Sequence, residues 1–209
     1  MTQAPSEATR VRILETALRL LRRHGKDKLT VVDIAKSLGM SHANVYRFFR
    51  NKTDILDTVV NEWLAKVESF VQSTARKPGT AAERIEAVVL NLHLKRRRKF
   101  VRDPEVYEAF RHLFELRPDA AQRHRQAIFD VFRQLLVEGI EAGEFRPVDV
   151  DEAAAVLKDA TALFLHPILI PTLSQEPTGP RARAVVAYFL SSIAVSPVTS
   201  GGPRPVPAP

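Results

Sequence analysis

In the run Ser41-His42-Ala43-Asn44-Val45-Tyr46-Arg47-Phe48-Phe49, the polar residues fall in a pattern suited to reading nucleic-acid bases. Arg47 offers the paired donors that fit guanine and Asn44 the donor–acceptor pair that fits adenine. Ala43 is small and apolar enough to touch a thymine methyl. His42, Asn44 and Arg47 are the base-reading candidates. Val45 and Phe48 stand three residues apart and share the opposite face of a helix, with Phe49 beside them. His42, Ala43, Asn44, Tyr46 and Arg47 are then left outside.

The residues just before this run supply its support. Thr30, followed three residues later by Asp33, resembles a capping box with Asp in the place of Glu or Gln. Ile34 and Leu38 share one helical face, and Ala35 is small where two helices must cross closely. Gly39 can take the positive φ that ends a helix and turns the chain. Ser41 is a favoured N-cap for the helix that follows. Two short helices joined by a tight turn, the second with a polar outer face, make a helix-turn-helix that lays its second helix in the major groove. The expected partner is double-stranded DNA. A plain amphipathic hairpin does not require the small residue, the glycine turn, the serine cap and three apolar sites to coincide.

Composition narrows the alternatives. The apolar content of 45% is ordinary for a globular chain, and no apolar run approaches the roughly 18 residues of a membrane span. Met1-Thr2-Gln3-Ala4-Pro5 lacks a basic-then-apolar signal pattern. Without cysteine there is no disulfide, thiolate zinc site or thiol nucleophile. A cytoplasmic location fits these features. The net charge of +7 favours an anionic partner, although it is spread along the chain and supports DNA binding without establishing it. No Gly-rich phosphate loop, Gly-x-Ser-x-Gly elbow or metal-ligand cluster is present, so an enzyme, a cofactor and a metal are not expected. A helical adaptor for another protein would leave the DNA-reading face unexplained.

The whole chain reads at the helical period, which predicts an all-α fold of about nine helices. Ser6 caps a first helix that runs to about His24 and stops at Gly25. Asn51 with Asp54 opens a fourth helix, whose apolar stripe (Ile55, Leu56, Val59, Val60, Trp63, Leu64, Val67, Phe70) continues to a break at Lys77-Pro78-Gly79. Further helices begin at Thr80, at Pro104 (with Tyr107, Phe110, Leu113 and Phe114) and at Pro118. Another runs from about Val150 to His166, ended or kinked by Pro167 and Pro171. A last one runs from Arg181 to Val195, and the Pro-, Gly- and Ser-rich residues 196–209 read as a disordered tail.

Over about residues 8–60 the sequence resembles the tetracycline-repressor (TetR) family. Thr30, Ile34-Ala35, Gly39, Ser41, Tyr46, Phe49, Lys52 and Leu56 fall in its pattern. Tyr46 to Leu56 is similar to the family's Tyr-x-x-Phe-x-x-Lys-x-x-Leu-Leu, with Ile55 for the first Leu. Gly139-Ile140-Glu141-Ala142-Gly143-Glu144-Phe145-Arg146-Pro147 resembles the turn before the family's eighth helix. Elsewhere residues 70–200 match in helix count and layout only.

The resemblance implies an all-helical homodimer with a three-helix DNA-binding head (residues 1–52) and a connecting helix (53–77). A ligand-binding and dimerisation body (78–195) would follow. The last two helices of two chains would form a four-helix interface. It implies a repressor that a small-molecule effector releases from a palindromic operator; an activator would carry the same head. It also places Thr30 and Lys52 on phosphates and Tyr46 against the DNA backbone or a thymine methyl.

Other candidates follow from the residues themselves. Phe100, Tyr107, Phe110, Phe114, Phe129, Phe132 and Phe164 could line an apolar effector pocket, with His166 at a helix end as a sensor, although an ordinary core role suits most of them. Ala160, Leu163, Val185, Val186, Phe189, Leu190 and Ile193 are the candidates for a dimer interface, against burial within one chain. His112, His124 and His166 lack His-x-x-x-His spacing and read as structural or surface residues. Lys95-Arg96-Arg97-Arg98-Lys99 reads as the solvated end of a helix, in preference to a second DNA contact or an anionic-ligand site.

Overall fold

A computed structural model describes residues 6–173 and 177–195, except the side chains of Leu113 and Leu116; the tail from 196 lies outside the described residues. Within them the chain is helical: α1 (Glu7–Lys28), α2 (Val31–Leu38), α3 (His42–Tyr46), α4 (Lys52–Ala75), α5 (Ala81–Arg102), α6 (Pro104–Leu116), α7 (Pro118–Glu141), α8 (Val150–Ala160), α9 (Ala162–Leu165) and α10 (Thr178–Ile193). A short 3-10 turn spans Ile170–Leu173. Within α1 the backbone leaves helical geometry at Gly25 (φ 77°, ψ 167°), where the sequence predicts the first helix to stop, and two later boundaries differ from the sequence reading. The helix expected from Val150 to His166 breaks at Thr161, whose φ of −96° and ψ of 0° separate α8 from α9. The Thr161 hydroxyl donates to the Leu157 carbonyl at 2.7 Å, the back-bonding by which threonine bends helices. The last helix begins at Thr178, before the expected Arg181, because Pro180 is tolerated in a first turn.

Caps set most of the boundaries. Ser6 accepts from the Thr9 N–H, Asn51 from Asp54 and Asp149 from Glu152. Thr80 and Glu83 form a full capping box on α5. The same helix end is satisfied a second time by Glu144, whose carboxylate accepts from the Ala81 and Ala82 N–H groups at 3.0 and 3.2 Å. Glu144 is held there by the turn after α7, where Phe145 pairs with Ala194 beyond α10. Arg84 closes the same corner, reaching Glu138 on α7 at 2.6 Å and the Ala75 carbonyl at 3.2 Å.

Three apolar clusters follow one another along α4. Ile55 and Val59 join the first, with Ile13, Leu21, Ile34, Val45 and Phe49, and this cluster also takes in Val106 and Ala109 of α6. Val60 and Leu64 join a second, with Tyr107, Phe110 and Phe114. Val67, Val71 and Ala75 enter the third, formed with α5, α7, α8, α9 and α10. A polar link reinforces the packing of α1 on α6. Asp103, between α5 and α6, accepts from Lys99 at 2.6 Å and from Arg22 of α1 at 3.0 and 3.2 Å.

Two expectations follow. The Phe145 ring lies on the bare backbone of Gly139, where an added Cβ would run into it. Gly139→Ala is therefore expected to lose about 1–3 kcal/mol by overpacking, measured by urea unfolding. Burial would raise the carboxyl of Asp103, but hydrogen bonds from Lys99 and Arg22 outweigh it and leave the group below its usual range. Its stabilising contribution is thus present above the ordinary Asp range and lost as pH falls through the lowered value. Thermal unfolding of Asp103→Asn is expected to show a weaker loss of stability with acid than the natural chain; an identical acid profile would contradict this.

Candidate nucleic-acid interface

The turn between α2 and α3 is fixed by backbone bonds that only a positive φ permits. Gly39 sits at φ 65°, ψ 31°. Its N–H reaches the Lys36 carbonyl at 3.2 Å, and the Met40 N–H reaches back to Ala35 at 3.0 Å. This is the paired closure of a Schellman end, with Met40 packed on the first cluster. Thr30 caps α2: its oxygen accepts from the Asp33 N–H at 3.1 Å while its hydroxyl donates to the Asp33 carboxylate at 2.6 Å. Ser41 caps α3 by accepting from the Asn44 N–H at 3.2 Å.

Helix α3 is anchored on its inner side and open on its outer one. Val45 and Phe49 are fully buried, and Phe48 is half-buried against the same cluster. His42, Ala43, Tyr46 and Arg47 are exposed and Asn44 is half-buried. The His42 and Tyr46 rings meet edge-on, with centroids 6.3 Å apart. Lys52 stands half-buried at the start of α4 with its ammonium 3.4 Å from the Asp27 carbonyl. Ser41, Thr30 and Lys52 are thus all engaged in holding the local fold.

Arg50 and Val32 were not singled out in the sequence. The side chain of Arg50 is 88% exposed, three residues beyond Arg47, and its backbone N–H donates to Asp54 at 2.9 Å. That bond, followed by those from the Arg50 side chain, holds Asp54 below the usual carboxylate range despite its partial burial. Val32 lies exposed on α2. A count of cations around the turn would have found Arg50; nothing in periodicity marks Val32.

The expected aromatic pocket divides. Tyr107 and Phe110 border a cavity of about 350 Å³ between α1, α4, α5 and α6. Phe114, Phe132 and His166 border another of about 270 Å³, walled by α5, α6, α7, α8 and α9, together with Arg96 and His124. The remaining three line neither cavity. Phe164 is buried edge-on against His93, Phe100 packs on Tyr107, and Phe129 lies under Lys158. The α6 aromatics stack edge to face into a ladder, which fills space that a single large pocket would need.

Two other expectations are corrected. Val186, Phe189 and Ile193 are buried in their own chain's third cluster, and Leu190 packs partly against it. The outer faces nearby carry Ala160 and Val156 of α8 and Tyr188 of α10, which is 81% exposed; Leu163 and Val185 are half-buried. The basic run is not a solvated end either. Five successive cations on a helix point around its whole circumference, so at least one must face inward. That one is Arg96, only 2% exposed. It donates to the Leu165 carbonyl and, at 2.8 Å, to Nε2 of His124. Nδ1–H of His124 then donates to Glu68 of α4 at 2.7 Å. Burial, then the charges of Arg96 and Arg125, push His124 down to about 3, so it is neutral at physiological pH.

A capped, glycine-turned helix pair with an open polar outer face, joined by a long helix to a larger helical body, has the layout of a helix-turn-helix DNA-binding regulator. The description "Bacterial regulatory proteins, tetR family" matches residues 13–59, and "Tetracyclin repressor-like, C-terminal domain" matches residues 81–186. The chain belongs to the TetR family of bacterial transcription regulators. It is 27% identical to the HTH-type transcriptional repressor KstR2 of Mycobacterium tuberculosis, over 91% of this chain and 92% of the relative. In fold it is similar to a TetR/AcrR-family regulator from Thermobifida fusca (TM-score 0.65, 22% identity, 95% of this chain and 100% of that one). It is also similar to FadR from Bacillus subtilis in complex with stearoyl-CoA (TM-score 0.62, 19% identity, 88% and 98%).

Arg47→Ala is expected to weaken binding to the protein's own DNA site by about 1–3 kcal/mol, read by fluorescence anisotropy. Arg47 is exposed, so the variant should remain folded, read by circular dichroism. Unchanged affinity at moderate salt would remove Arg47 from the reading face.

Proposed function

We propose that the chain is a ligand-responsive repressor that binds a palindromic operator as a homodimer and leaves it when a small molecule occupies the body. The observation that carries this reading is the open outer face of α3, held rigidly by the Gly39 turn and the Ser41 cap. In it His42, Asn44 and Arg47 read base edges, Ala43 touches a thymine methyl and Tyr46 lies on the backbone or a methyl. Lys52 takes a phosphate with the two ammonium donors left over from Asp27. Thr30 takes another by turning its hydroxyl away from Asp33, and Ser41 sets the start of the reading helix.

Family membership supports the regulator, and the name of the KstR2 relative supports repression. The complex of FadR with stearoyl-CoA supports a small-molecule ligand. Two heads on one duplex require two chains, with half-sites about one helical turn or a multiple of it apart. The open faces of α8 and α10, around Val156, Ala160 and Tyr188, are where the second chain docks. Such a protein works in the cytoplasm, on DNA.

The test is binding to the duplex that flanks the protein's own gene, repeated across salt concentrations, with sedimentation of the free protein alongside. The reading predicts preference for one site, an affinity that falls steeply with salt as bound counterions are released, and a dimer at micromolar concentration. No preference over random duplex, or a monomer, would contradict it.

A further inference from the structure

The 270 Å³ cavity lined by α5 to α9 has a charge that its own walls do not balance. Phe114, Ile128, Phe132 and Leu165 make it apolar. Arg96 projects into this lining and is buried, and its Nε has no hydrogen-bond partner. Its two satisfied contacts are a backbone carbonyl and a neutral imidazole, neither of which carries a negative charge. Burial pushes the guanidinium down to about 10, which still leaves it protonated at neutral pH. Arg125, half-buried at the cavity, adds a second cation, which lies over the Phe114 ring and donates to the Gln122 amide oxygen. Lys158 also lines the cavity, but Asp159 offsets it at 3.3 Å. Among the described residues, neither Arg96 nor Arg125 has a carboxylate within ion-pair distance.

A buried cation without a counter-charge is costly, and removing that cost is a source of binding free energy. We propose that this cavity binds an amphipathic acid, an apolar body ending in a carboxylate, with Arg96 Nε donating to the acid and Arg125 at the mouth. The inference rests on the ligand-responsive reading above, because it names the chemistry of that effector. The volume is the share of about nine liquid waters, which suits an acid of about ten non-hydrogen atoms. The acid joins the Leu165 carbonyl and His124 on the same guanidinium. His124 is the link to Glu68, so occupancy is felt on α4, the helix that reaches the DNA-binding head.

The test is calorimetric titration of the DNA-free protein with octanoate, octan-1-ol and octylamine, which share one chain and differ in headgroup charge. Octanoate is expected to bind at least about tenfold tighter than either other probe, the scale of one charge-assisted hydrogen bond. Arg96→Gln should abolish that preference and Arg125→Gln reduce it. Ala162→Phe, which fills the cavity and removes no polar group, should abolish octanoate binding even if Arg96→Gln fails to fold. Equal binding of the three probes, tighter binding of the amine, or octanoate binding that survives Ala162→Phe would overturn the proposal. Since no DNA is present, these outcomes are independent of operator binding, which a separate titration with duplex reports.

Discussion

Helix α4 contributes to every apolar cluster of the described chain, and the rest of the architecture depends on that continuity. Its first turns bury Ile55 and Val59 beneath the helix-turn-helix, its middle buries Val60 and Leu64 against the α6 aromatics, and its end buries Val67 and Val71 in the body. At 24 residues it spans about 36 Å. A displacement of its body end is therefore carried to Asn51 and Lys52, where the head is attached. The packing of α1 on Val106 and Ala109 of α6 ties head to body a second time, and the contacts of Arg22 with Asp103 add to it, but partly exposed pairs of this kind contribute little energy. Apolar packing sets the geometry, and the polar link tunes it.

The body stores its polarity in a different way from the head. In the head, Thr30, Ser41 and Asn51 spend their side chains on backbone N–H groups, and α3 is polar on its outer face. In the body, Arg96, His124 and Glu68 form a chain of hydrogen bonds that runs from the buried Arg96 to the half-buried Glu68 on α4. Burial raises Glu68 and lowers His124, which leaves the imidazole neutral and Arg96 the cation of the chain. Buried charges of this type are poor stabilisers but good recognition elements, because a ligand that supplies the missing anion gains what the free protein lacks.

The head was legible in the sequence because its signals are local. A cap, a glycine and an i, i+3 apolar pair lie within twenty residues, and each is read without knowledge of partners. The caps at Thr30, Ser41 and Asn51 and the turn at Gly39 are where sequence placed them. The body was legible only as a succession of helices. Whether Phe164 faces a cavity or His93, whether Val186 faces a partner or its own core, and which cation of the basic run turns inward all depend on how distant helices pack. The break at Thr161 lies between the two cases: threonine back-bonding is local, but helical periodicity runs across it unchanged.

The central claim is that α3 reads a symmetric DNA sequence. Selection of bound duplexes from a random library by the full chain tests it most directly. The account predicts enrichment of an inverted repeat with half-sites about one helical turn or a multiple of it apart. It also predicts that substituting Asn44 changes the preferred base at one position in each half-site. Enrichment of no sequence, or a preference that is unaltered when the outer face of α3 is replaced by alanine, would contradict it.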